Sequence, residues 1–169
     1  MEIIKWVIYM FILIVSSSIG IIYSQKYQKR VDELKDFKTA LNMLKTKIRF
    51  TYAPLKEVFI DISKSLQSKT ANIFSNVCTY MENNDVTQSW NKAINETETS
   101  ITKEDKEILS KFGKLLGKTD LEGQLNEIEL SLNFLETQIE KAEVEKNKNA
   151  KLYKSLGVIA GIGIIIILI

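Results

Sequence analysis

The residues able to do chemistry fall into four small groups in this chain of 169 residues. Gly113-Lys-Leu-Leu-Gly117-Lys118-Thr119 ends like a nucleotide-binding loop, in which backbone amides and an ammonium group would hold phosphates. The spacing is wrong for that use. A phosphate loop follows a strand and has four residues between its glycines, whereas three intervene here and Phe112 occupies the required glycine position inside a helical pattern. A helix stop followed by a helix start accounts for the same residues. Carboxylates occur in pairs, Glu127 with Glu129 and Glu140 with Glu143, on a charged helix face where solvation leaves no cause for a shifted pKa. Such a face suits solvent or a basic partner. Cys78 is the single cysteine and histidine is absent, so no internal disulfide, zinc cluster or histidine base can be built. Asn95-Glu96-Thr97 fits the glycosylation acceptor pattern, which matters only outside the cell. The expectation is a protein that is not an enzyme, with no cofactor, metal or small-molecule substrate.

The elements that carry these residues read as helices. One proline and seven glycines in a Lys-, Glu-, Asn- and Ile-rich chain favour long helices over a turn-rich β fold. From Leu121, the apolar residues Leu125, Ile128, Leu132, Leu135, Ile139 and Ala142 follow at alternating spacings of four and three, a seam facing other helices. Val31, Leu34, Phe37, Leu41, Leu44 and Ile48 mark a long first helix that Pro54 ends, and Leu55 to Leu66 form a second. Ile73, Val77, Tyr80 and Met81 mark a third, closed by Asn83-Asn84-Asp85. A short fourth runs from Thr87 through Trp90 to Ile94, with Asn95 to Ser100 as a polar link. Thr102 caps a fifth that uses Ile108, Leu109, Phe112, Leu115 and Leu116 and stops at Gly117 in the left-handed conformation. Thr119-Asp-Leu-Glu122 reads as a capping box opening the sixth. Trp90 and Phe112 belong to the core of this pattern.

Both ends of the chain are lipid-like. Ile3 to Tyr23 is an apolar run broken only by Lys5, and at about 1.5 Å per residue it matches a hydrocarbon core of about 30 Å. A cleaved signal peptide competes with that reading, although the run exceeds an h-region of about 15 residues. From Leu156 onward no polar side chain remains. The expected segments are a transmembrane helix over 1–24, a cytoplasmic six-helix domain over 25–153 and a second transmembrane helix over 154–169. Lys26, Lys29 and Arg30 follow the first span, and Lys146, Lys148, Lys151 and Lys154 precede the second, against Lys5 beside Glu2 on the far side. By the positive-inside bias the middle of the chain is cytoplasmic and both termini lie outside. A two-span receptor with an external domain would carry the opposite bias. The formal net charge of +2 offers no broad basic field for nucleic acid. Ser16 with Gly20, and Gly157 with Gly161, are small-x-x-x-small pairs at matching depth, the kind of site where helices associate in lipid. They predict an antiparallel hairpin within one chain, with contacts to other subunits as the competing use.

Phe112-Gly113-x-x-Leu116-Gly117-x-x-Asp120-x-x-x-Gln124, then Leu135, then Lys154-Ser155-Leu-Gly157-Val-x-Ala160-Gly161 resembles the stage III sporulation protein AB family. The basic residues after the first apolar run, Pro54-Leu55 and the Val86 to Trp90 segment agree in order. The family is similar to the cytoplasmic six-helix F domain of the platform proteins of type II secretion and type IV pilus machines. The resemblance implies an all-α bundle between two membrane helices. It also implies a scaffold of the sporulation channel between mother cell and forespore, with membrane lipid, other channel subunits, a secretion-type ATPase and possible further copies of the chain as partners. Platform proteins usually carry two such domains and three spans, and many have glycine where this chain has Asn84-Asp85.

Overall fold

The computed structural model describes residues 2–51 and 53–168, so Met1, Tyr52 and Ile169 lie outside it. Six helices follow one another: α1 (Glu2–Thr51), α2 (Leu55–Ser65), α3 (Lys69–Tyr80), α4 (Val86–Glu96), α5 (Lys103–Leu115) and α6 (Leu121–Leu168). The described residues contain no strand. The chain forms two compact units, one of residues up to Val31 together with those from Lys141, the other of Asp32–Glu140.

In the central unit the helix ends are set by local chemistry. Pro54, which lacks the N–H that a helix start leaves unpaired, precedes α2, and its carbonyl accepts the first turn's amides from Glu57 and Val58. Ser68 accepts from the Thr70 amide to start α3, and Asp85 accepts from Gln88 at 2.7 Å to start α4. At α5 the Thr102 hydroxyl takes the Asp105 amide while the Asp105 carboxylate takes the Thr102 amide, a reciprocal box. The expected box over Thr119 and Glu122 is not formed. Asp120 is the residue before α6, and its carboxylate accepts the Gly123 amide at 2.9 Å, one position later than expected. α4 also continues through Asn95 and Glu96, where the Asn95 side chain bonds back to the Asn91 carbonyl, so the polar link is shorter than the sequence suggested.

Five of the six helices contribute one aromatic ring each to a single cluster: Phe37 of α1, Phe59 of α2, Phe74 of α3, Trp90 of α4 and Phe112 of α5. Trp90 is its hub, with ring centroids 5.4 Å from Phe74, 6.0 Å from Phe59 and 5.3 Å from Phe112. α6 closes the core with Ile128, Leu132, Leu135 and Ile139, all buried. Leu121, the first residue of the expected seam, stays 37% exposed because it lies in the first turn, ahead of the buried stretch. Lys38 pairs with Glu136 and Lys45 with Glu129, so seven residues forward on α1 matches seven back on α6 and the two run antiparallel here. Those acids of α6 are thus partnered within the chain while staying about half exposed to solvent.

Glu33 of α1 is buried, and its carboxylate accepts the Ser100 amide at 2.7 Å, which fastens the link between α4 and α5 to α1. Burial pushes the carboxyl above the ordinary carboxylate range, against the opposing pull of the Ser100 amide and the Lys69 ammonium.

The other unit is a pair of helices. Each is long and apolar enough to cross a membrane, and most of each apolar stretch is exposed, unlike the core helix of a water-soluble bundle. Ile3, Trp6, Ile166 and Ile167 all present more than half of their surface.

Candidate functional site

The family-like residues from Phe112 to Gln124 form the corner where α5 hands over to α6. Each has an assignable physical task. The Phe112 ring sits edge-on to Trp90. Gly113 has no Cβ because the indole takes its place: a Cβ built there would lie 2.1 Å from Trp90 Cδ1. That seat lets Trp90 Nε1 donate to the Leu109 carbonyl at 2.7 Å, giving the buried indole its partner. Leu116 is buried just beyond the end of α5. Gly117 has φ of 73°, a left-handed conformation that a Cβ makes costly, and it lets the chain turn. Asp120 then caps α6, and the Gln124 side chain donates to the Thr119 carbonyl at 3.0 Å.

This geometry also decides the phosphate-loop likeness. At the start of α6 the Gly123 amide already belongs to the Asp120 carboxylate and the Gln124 amide to the Asp120 carbonyl. A phosphate would have to displace the chain's own anion. Lys118 serves the turn, its amide bonding to the Leu115 carbonyl at 3.2 Å.

On its outward side the corner continues as a groove between α5 and α6, lined by Ile108 and Leu115 on one wall, Leu130 and Phe134 on the other, with Lys111 and Glu127 at the edges. Leu130 and Phe134 are 48% and 49% exposed, side chains that the helix turns away from its own core. Both fall off the four-three seam, so that period does not mark them. Their signal was there all the same: two large apolar residues four apart on an otherwise polar face.

The small residues of the helix pair meet backbone to backbone. A Cβ on Gly20 would lie 2.6 Å from the Tyr153 carbonyl oxygen and 3.1 Å from the Gly157 Cα, and one on Gly157 would lie 2.8 Å from the Ser16 carbonyl oxygen. Ser16 Oγ donates to the Gly157 carbonyl, and the space beside Gly161 is filled by the Ser16 side chain at 3.2 Å. Beyond this contact Tyr153 stacks with Tyr23 and Tyr27 at centroid distances of 5.9 and 5.8 Å, and Arg30 forms an ion pair with Glu145 at 2.6 Å.

The sequence model of the stage III sporulation protein AB family matches residues 5–169. A curated relative, stage III sporulation protein AB of Bacillus subtilis (strain 168), is 28% identical over 162 residues, which are 94% of this chain and 95% of that protein. A solved structure of a stage III sporulation protein AB is similar with a TM-score of 0.67 and 24% identity, over 71% of this chain and 98% of that one. At that identity the likeness speaks for the fold.

Proposed function

The chain belongs to the stage III sporulation protein AB family, and from that premise we propose that it is a membrane-anchored, non-enzymatic scaffold of a secretion-like complex in sporulation. Its partners are the other subunits of the channel between mother cell and forespore, among them a secretion-type ATPase. The observation that carries the scaffold reading is the use made of the family-like residues. Gly113 seats a tryptophan, Gly117 turns the chain, and Asp120 and Gln124 tie down a helix start. Residues spent on holding a corner in shape fit a surface that other proteins recognise. The secretion link rests on the resemblance of the helical domain to platform proteins.

In this reading the two apolar ends cross the bilayer as a hairpin, the central unit lies in the cytoplasm and both termini lie outside. Lysines and an arginine stand at the inner edge of both spans and only Lys5 at the outer. Tyr23, Tyr27 and Tyr153 suit the boundary between lipid and water. Two experiments test the proposal. In intact cells, protease should spare the central domain and cleave a tag on either end. Crosslinking and purification of the chain from sporulating cells should recover the ATPase of the same complex. External cleavage of the domain would reverse the topology, and a complex devoid of any ATPase would remove the secretion-like partnership.

A further inference from the structure

Resting on the reading of this chain as a binding component, we propose that the groove between α5 and α6 receives an acidic amphipathic helix of another protein. The occupant seats apolar side chains against Ile108, Leu115, Leu130 and Phe134 and places carboxylates on the lysines of α5. The groove is mostly apolar and open to solvent, and two of its five apolar lining residues, Leu130 and Phe134, are about half exposed. Among the described residues of the central unit, Phe50 and Leu121 are also exposed, but Leu130 and Phe134 stand together on one wall of the groove. Ile108 and Leu115 are seven apart, two helical turns or about 10 Å, which suits an occupant with anchors at i, i+3 or i+4, and i+7.

Charge selects the occupant. The outer face of α5 holds Lys103, Lys106, Lys111 and Lys114 around a shallow concavity whose only carboxylate is Glu107. The remaining acids of α5 are engaged elsewhere, Glu104 accepting from Gln138 and Asp105 closing the cap. Four lysines against one carboxylate around that concavity make the surface beside the groove locally positive, on a chain whose formal net charge is only +2. Such a surface draws carboxylates and repels a basic helix. Across the groove Glu127 faces the same space without a lysine among the lining residues of its wall. An acidic flank on the occupant thus belongs on the α5 side, which fixes its orientation.

The test uses the full chain. A photo-reactive residue in place of Phe134, in sporulating cells, should form an adduct whose partner segment, sequenced by mass spectrometry, is helical, apolar on one face and rich in Asp and Glu beside it. The same probe at Asn84 provides the background. Adducts to a second copy of this chain, to lipid or to a basic segment would overturn the proposal, as would a yield no higher than at Asn84. In nanodiscs, a designed amphipathic peptide flanked by glutamates should bind the full chain at least tenfold more tightly than its lysine-flanked counterpart. Lys111→Glu with Lys114→Glu should erase that preference, and equal affinity of the two peptides for the unaltered chain would refute the charge argument. Deleting the chain tests the scaffold reading separately. If deletion blocks sporulation but Leu130→Asp with Phe134→Asp, accumulating normally, does not, the scaffold stands and the docking site falls.

Discussion

The central unit and the helix pair are both held by tight contacts, yet one is built by adding side chains and the other by removing them. Around Trp90 four phenyl rings and the aliphatic seam of α6 fill the interior, and Trp90 itself is fully buried. At Gly20 and Gly157 the contact exists because nothing stands between the backbones, and the large residues Ile3, Trp6 and Ile167 face outward instead. Water makes the first arrangement favourable, since burying apolar area is worth about 25 cal/mol per Å². Lipid offers no such gain, so helices there associate through close backbone approach and the hydrogen bonds that it allows. Ser16 donating to the Gly157 carbonyl is a bond of that kind. Gly113 shows the two devices meeting, for it is a missing side chain whose purpose is to admit the largest one.

Removing the hub should have the largest effect. Trp90→Ala should destabilise the central unit by about 3–5 kcal/mol through the lost contacts and cavity, seen as a fall in its unfolding midpoint in nanodiscs. The helix pair should keep its contacts in the same sample, and a simultaneous loss of both would erase the distinction drawn between them. Next comes Gly117→Val, which should cost about 1–3 kcal/mol. A Cβ at Gly117 would meet only Leu55 Cδ1, at an ordinary 3.5 Å, so the penalty is one of backbone conformation and Gly117→Asn should recover part of it. Equal midpoints for valine and asparagine would refute that cause.

The smallest effect belongs to Glu33. Because burial raises its folded pKa above the unfolded value, the native state holds a proton that the unfolded chain has released anywhere between the two. In that window stability rises as pH falls and declines as pH rises. Thermal melts should therefore show the unaltered chain gaining on Glu33→Gln when pH is lowered from 7 toward the ordinary carboxylate range. A gap between them that is constant or widens the other way contradicts the burial.

Much of this could be read from the sequence because the signals are local. Pro54, Asn83 to Asp85, Thr102 and Gly117 punctuate the helices through their own backbone chemistry, and the all-helical order follows from them together with the apolar period. The α6 cap lies one residue beyond the sequence expectation because Thr119 and Asp120 both offer a capping oxygen, and in the fold it is the aspartate that accepts the Gly123 amide. What stayed hidden depends on which helix faces which. Periodicity put Trp90 and Phe112 inward but could not say that Gly113 is the seat of the indole. Likewise the partners of Glu129 and Glu136 lie about ninety residues away on α1, beyond the reach of any spacing rule. The α5–α6 groove is illegible in the sequence for the same reason, since its two walls come from different helices.

The distinction between the two units turns on the helix pair closing within one chain, and a disulfide tests it directly. The Cβ that would be added at Gly161 lies 3.2 Å from the Ser16 Cβ, close to the separation of about 3.5–4.5 Å found in disulfides. Ser16→Cys with Gly161→Cys, in a Cys78→Ser background, should oxidise in native membranes to a bond within a single chain, shown by faster migration of the monomer without reducing agent. A bond found only between two chains, or no bond at all, would contradict the hairpin.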